Sequence, residues 1–165
     1  MDKARKSELV ELADMLANSW LDPVNPVRID SRFFPVSRAE AYLVQDYMHK
    51  TLQQGMVGWK VGATSARMRE IDGHEDVIPG RIFESRTYFG SHHNLPIKYF
   101  PGARAEAEFA FQLTAKPYLR QPPWTASEME TMLLLHPAIE VIGNRFTIED
   151  ASKLENSLMT IADNG

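Results

Sequence analysis

The sequence predicts an α+β fold, and three observations carry that prediction. Residues 4–18 and 37–53 repeat apolar side chains at helical spacing. Residues 104–113 alternate strictly: Ala105, Ala107, Phe109, Phe111 and Leu113 against Glu106, Glu108, Ala110 and Gln112. Between such stretches lie clusters of glycine and proline that act as turns. The length of 165 residues fits one domain, and 44% hydrophobic residues provide material for a real core. We expect a single domain over 1–165, with a helical segment 1–55 packed on a β core at 56–165.

The first helix is expected at 4–18, where Leu9, Leu12, Ala13, Leu16 and Ala17 form one stripe. Pro23 and Pro26 then impose a loop. The second helix spans 37–53: Ser37 and Glu40 have capping-box spacing, Ala41, Val44, Met48 and Leu52 form the apolar face, and Gly55 ends it. Residues 56–61 read as a short strand with Val57, Trp59 and Val61 on one side and Gly58 and Lys60 on the other. Trp59 is expected on the packed side. Turns follow at Gly62, Gly73, Pro79 and Gly80, with a helical turn after Thr64 or Ser65 and a short strand at 81–83. After the strand at 104–113, Thr125 and Glu128 form another capping box that predicts a helix to about Leu135, stopped by Pro137. Met129, Met132, Leu133 and Leu134 are read as core. Ala138–Ile142 is expected as a strand and 149–160 as the final helix, after which residues 161–165 trail off.

Composition excludes some functions. The net charge of -4, with both signs spread along the chain, argues against nucleic acid as the main partner. The chain has no cysteine, so disulfides, thiolate-bound metals and a thiol nucleophile are all excluded. The N-terminal residues are too charged for a signal-peptide core, and no apolar run approaches a membrane span. A cytoplasmic location is the expectation. Ser65 has no nucleophile-elbow context.

The chemistry-bearing feature is a group of carboxylates. Glu106 and Glu108, two apart on a predicted strand, project from one face at about 6–7 Å separation. Carboxylates so placed repel unless a proton or cation intervenes, and a hard cation such as Mg2+ or Mn2+ prefers oxygen ligands. The same alternation also describes any half-exposed strand. Glu140 interrupts the apolar run Ala138–Ile142, so it either lies at an exposed edge or binds something. Lys60, between Gly58 and Gly62, is suited to bind a substrate carboxylate or to move a proton, or else is an exposed strand lysine. Among the histidines, His92 and His93 lie in a charged segment, His74 is a candidate lid residue, and His136 is a candidate helix cap. None has zinc-motif spacing.

Five segments together resemble the fumarylacetoacetate hydrolase superfamily, in particular its hydratase/decarboxylase branch of 2-keto-4-pentenoate hydratase and 4-oxalocrotonate decarboxylase. They are SRAEAYLVQ at 37–45, GWKVGAT at 58–64, ARAEAEFAFQL at 103–113, PAIEVIGNR at 137–145 and IADN at 161–164. The resemblance implies a mixed β barrel-like core with peripheral helices, incomplete in this chain, because members continue well beyond the IADN segment. It implies metal ligation by Glu106, Glu108 and Glu140 and an active-site role for Lys60. It also matches Arg104 and Arg145 to family arginines.

The activity so implied is hydration of a 2-hydroxy-2,4-dienoate to a 4-hydroxy-2-keto acid in meta-cleavage of aromatic compounds, with Mg2+ or Mn2+. The alternatives are decarboxylation of a 2-keto dioate and a non-catalytic fragment or accessory subunit. The expected partners are a small 2-keto or 2-hydroxydienoate acid and further protein chains, as a homo-oligomer or a complex with a related hydratase or decarboxylase; nucleic acid and membrane are not expected. The 165-residue chain by itself is expected to bind a divalent ion weakly, to self-associate and to hydrate poorly.

Overall fold

The computed structural model describes residues 1–164 and is α+β, as predicted. It divides into two compact units: Met1–Pro101 together with the chain from Asn144 onward, and Gly102–Gly143. The first unit combines both long helices with the chain's last helix.

Helix α1 (Lys3–Leu21) starts at Asp2, whose side chain accepts from the Arg5 N–H at 2.8 Å. A short strand β1 (Val27–Arg28) follows, then helix α2 (Arg38–Leu52). The Ser37 hydroxyl accepts from the Glu40 N–H at 3.2 Å, as the capping spacing predicts. The Glu40 carboxylate does not complete the box at Ser37. It accepts from the Val36 N–H and from Arg5 (Nη2–Oε2 2.7 Å), tying α1 to the start of α2. Arg5 also donates to the carbonyls of Arg32 and Phe34, so one guanidinium fixes the helix–helix corner. Gln53, left-handed at φ 51°, closes α2 two residues before the glycine expected to do so.

Strand β2 (Met56–Gly62) leads through helix α3 (Ala66–Asp72), capped by Ser65, to strand β3 (Ile78–Phe83). The two strands pair antiparallel, Lys60 opposite Gly80 and Trp59 opposite Arg81. In the second unit, strand β4 (Arg104–Leu113), the single-turn helix α4 (Ala126–Glu130) and strand β5 (Leu133–Ile142) form a ribbon. It pairs antiparallel without a break from Arg104↔Ile142 to Leu113↔Leu133. Strand β6 (Phe146–Thr147) then returns to the first unit and pairs parallel with β1, and helix α5 (Lys153–Ala162) follows. Both capping-box hydrogen bonds form at Ser152 and Glu155.

The core lies in the first unit. Leu9, Leu12 and Leu16 of α1, Ala41, Val44 and Met48 of α2, and Leu158, Met159 and Ile161 of α5 bury together, with Phe33, Phe34 and Phe83 at the margins. The last helix therefore completes the helical core from the far end of the sequence. The described strands form three separate two-stranded sheets, and no barrel closes among them.

Three expectations at element level are corrected. The helix expected from Thr125 to Leu135 ends at Glu130, and Leu133–Leu135 are strand. Its capping box is real, since Thr125 and Glu128 exchange both hydrogen bonds. The leucines instead find a ten-residue hydrogen-bonding partner in β4, which outweighs the extension of a one-turn helix. Pro137 sits inside that strand; in a two-stranded ribbon each strand is an edge, where proline is tolerated. Of the residues read as core, Leu134 is consequently exposed, and Met129, Met132 and Leu133 are half-buried outside the core cluster. Finally, residues 161–164 do not trail off: Ile161 and Ala162 are fully buried, and Asn164 is buried with its amide donating to the Ile78 carbonyl at 2.7 Å.

Candidate functional site

The ribbon places the three carboxylates by register. Facing residues of an antiparallel pair share a face, and so do residues two apart on one strand. Glu106 faces Glu140 directly, and Glu108 is next along on the same face, opposite Ala138. One oxygen from each of Glu106, Glu108 and Glu140 lies within 4.8 Å of the other two. Glu106 and Glu108 are exposed and Glu140 is half-buried. Ala138 and Ala110 flank them with small side chains, so the face between the carboxylates is open.

Carboxylates directly opposite each other on a ribbon are destabilising without a compensating charge. Three carboxylate oxygens presented from one side could supply part of the oxygen shell of a divalent cation, with positions left for water or substrate oxygens. The donor set is all-oxygen, which fits Mg2+ or Mn2+ rather than a softer metal. Arg104 begins the same face, opposite Ile142. The other face of the ribbon is apolar throughout: Ala105, Ala107, Phe109, Phe111 and Leu113 opposite Val141, Ile139, Pro137, Leu135 and Leu133. Phe109 is 75% exposed and Ile139 is 74% exposed.

Lys60 belongs to the first unit, on β2. The expected orientation of this strand is reversed. Trp59 is 52% exposed and Val57 and Val61 are also exposed, while Gly58, Lys60 and Gly62 occupy the half-buried face. The cause is the end of α5, which packs on that side: a Cβ at Gly80, opposite Lys60, would overlap the Asn164 carbonyl. Only glycine admits a helix end this close to a strand. Trp59 is left on the outer face, where the Arg81 guanidinium lies 5.2 Å from its ring centroid.

A buried ion pair at the end of α5 was not among the expected site residues, although the resemblance covers both partners, Arg145 and the Asp163 of the IADN segment. Asp163, at the C-cap of α5, is gripped by Arg145: Nη2 lies 2.9 Å from Oδ1, Nε donates to Oδ2 at 3.3 Å, and Nη2 also donates to the Asp163 carbonyl at 2.7 Å. Burial pushes the Asp163 carboxyl above its ordinary value, against the pull of the Arg145 and Lys60 charges. The available signal was the charged pair Arg145 and Asp163 among apolar residues, but separated charges do not reveal their pairing in sequence.

The histidine expectations change as well. His74 is not a lid residue: it is buried, its Nδ1 lies 2.7 Å from the Ser157 hydroxyl of α5, and burial pushes its pKa down. His136 is not a helix cap; it lies in β5, exposed, with Nε2 3.1 Å from Gln112 Oε1. His92 and His93 are exposed, as expected.

No family model matches the chain, and no curated protein matches it either. Among the described residues, no helix is long and apolar enough to cross a membrane.

Proposed function

We propose that this chain is a divalent-metal-dependent lyase-type protein of the hydratase/decarboxylase kind, acting on 2-hydroxy-2,4-dienoates and their 2-keto tautomers. One observation carries the reading: the convergence of Glu106, Glu108 and Glu140 on one face of the β4–β5 ribbon. The resemblance of the five sequence segments to the fumarylacetoacetate hydrolase superfamily supports it. So does the uninterrupted ten-residue register, which holds the three carboxylates on stiff neighbouring backbone rather than on loops.

Glu106, Glu108 and Glu140 would hold Mg2+ or Mn2+. When bound, the ion supplies Lewis-acid stabilisation of the negative charge that develops on the substrate's 2-oxygen. Lys60 neutralises the substrate carboxylate or carries the proton moved during ketonisation. In the hydratase reading, water then adds across the conjugated double bond. In the decarboxylase reading, the same electron-accepting end of the substrate receives the electrons released with carbon dioxide. A barrel-like wall around that substrate belongs to the proposal as part of a larger assembly.

A second reading is favoured by the uncovered apolar face of the ribbon. A contiguous row of phenylalanines and branched aliphatics marks a protein contact surface. In this reading the chain works as a subunit, with a second copy or a related hydratase or decarboxylase chain against that face.

The deciding experiment assays 2-hydroxypenta-2,4-dienoate and 4-oxalocrotonate by their ultraviolet absorbance, with and without Mg2+ or Mn2+. The chain is tested alone and mixed with a related hydratase or decarboxylase. We expect turnover that is weak for the chain alone, requires the divalent ion, and is lost in Lys60→Ala while metal binding is kept. Unchanged turnover in Lys60→Ala removes the lysine from the mechanism. Absence of turnover on both substrates in every mixture removes the enzymatic reading.

A further inference from the structure

The polar face of the β4–β5 ribbon continues past the three glutamates. Its rungs run Glu106 opposite Glu140, Glu108 opposite Ala138, Ala110 opposite His136 and Gln112 opposite Leu134. His136 is therefore the diagonal neighbour of Glu108, a relation that sets Cβ atoms about 7–8 Å apart, within reach of long and aromatic side chains. Ala110 and Ala138, the other two corners of that step, end at their methyl groups and leave a low floor between imidazole and carboxylates. The imidazole also has a defined tautomer. Its Nε2 lies 3.1 Å from Gln112 Oε1. A carboxamide oxygen only accepts, so Nε2 carries the proton, and Nδ1 of the neutral ring keeps its lone pair. That lone pair can accept a proton from water, whereas it would repel a carboxylate. His136 is exposed, so water reaches it.

We propose that His136 is the general base that activates water in the hydratase reaction, standing across the Ala110–Ala138 floor from the three glutamates. The inference rests on the hydratase reading and deepens it by naming the group that takes the proton of water. A substrate anchored at the glutamate end through its carboxylate and 2-oxygen extends its C4 end away from them, and the alanine floor has room for it. Ketonisation of the dienoate gives a 2-keto acid with its double bond between C3 and C4. The water oxygen then bonds to C4 while one water O–H bond breaks and its proton passes to His136 Nδ1. The C3–C4 π pair moves toward C2 and gives an enolate. Protonation at C3 returns the ketone, and His136 gives up the proton it took, so the net change is the addition of one water.

Two measurements on the full chain test this assignment. The first needs no turnover. With Mn2+ as the probe, nuclear magnetic resonance follows the His136 ring signals, assigned by their loss in His136→Ala. We expect one equivalent of Mn2+ to broaden them away in the native chain, and to leave them sharp when Glu106, Glu108 and Glu140 are all changed to glutamine. Ring signals that stay sharp with Mn2+ bound overturn the proposal. The second measurement follows 2-hydroxypenta-2,4-dienoate in whichever mixture of chains turns it over. His136→Ala, at an exposed position, should keep Mn2+ affinity within about twofold and leave ketonisation intact, but slow hydration by about 100-fold or more. Free imidazole should restore at least about tenfold of that loss, which a merely structural role would not allow. If circular dichroism shows that the alanine variant does not fold, His136→Gln carries the rate comparison. Hydration within about threefold of the native rate, or a loss in folded His136→Ala that imidazole does not restore, overturns the proposal. The two readings fail separately: hydration that survives the loss of His136 rejects the base and keeps the enzyme, whereas absence of turnover in every mixture removes the enzymatic reading and this assignment with it.

Discussion

The helical core of the first unit and the ribbon of the second use similar apolar residues to opposite ends. In the first, Leu9, Leu12 and Leu16 of α1 are completely buried against α2 and α5. In the second, Phe109, Phe111, Leu135 and Ile139 form an equally apolar row that is mostly exposed. Alternation in a strand and periodicity in a helix both mark a face that avoids water, but neither states what covers it. The core unit meets that demand within its own chain. The ribbon keeps its demand open, and on its reverse face carries the three glutamates. The buried core is thus concentrated in one unit, while the three-glutamate cluster and the exposed apolar row lie on the other.

Substitutions should separate the two regions sharply. The largest effect is expected from Leu12→Ala, which removes a fully buried side chain at the centre of the helical core and should cost about 2–5 kcal/mol. Urea unfolding followed by circular dichroism measures it. A loss as small as that of a surface change would place the main core elsewhere.

Acid should act next. The Arg5 guanidinium holds the Glu40 carboxyl below its ordinary value, and Arg120, with the Thr125 N–H and hydroxyl, holds Glu128 down to about 2. Both native values lie below the unfolded value of 4.5. Each carboxylate therefore contributes stability that is complete above that pH and is lost as the pH falls toward the native value. For the Arg5–Glu40 corner, which is largely shielded from solvent, full protonation should cost about 1–3 kcal/mol of the first unit's stability. For Glu128, which is solvent-exposed, the effect should be confined to α4, with the Thr125 and Glu128 amide resonances shifting as the pH approaches about 2. Titration of those amides near pH 4.5 would show that the cap does not bind the carboxylate as described.

The smallest effect on stability is expected from Phe109→Ser. An exposed ribbon residue should change the unfolding free energy by no more than about 0.5 kcal/mol. The same substitution should visibly weaken self-association in sedimentation experiments, because it interrupts the apolar row. Unfolding by Phe109→Ser would show that the ribbon face is packed in solution and would erase the contrast between the units.

Much of this arrangement was legible in the residues. The stripe at Leu9, Leu12 and Leu16, the Ser37 cap and the β4 alternation all depend on near neighbours in sequence, and all appear in the fold. The same-face pair Glu106 and Glu108 follows from strand geometry alone. What was not legible depends on distant partners. The Leu133–Leu135 segment obeys β4 rather than its own helix signal. Trp59 faces outward because Asn164, a hundred residues later, occupies the other side of the strand. Glu40 turns to Arg5 on another helix rather than closing its own capping box. The pairing of Glu106 with Glu140 is a register, and register is set by two strands together.

The central claim is that Glu106, Glu108 and Glu140 form one divalent-metal site. Mn2+ titration of the full chain, followed by electron paramagnetic resonance of the free ion, tests it most directly. We expect one Mn2+ per chain, competition by Mg2+, a loss of at least about tenfold in affinity for Glu108→Gln, and no specific binding when all three glutamates are changed to glutamine. Mn2+ binding of unchanged affinity in the folded triple variant would contradict the account.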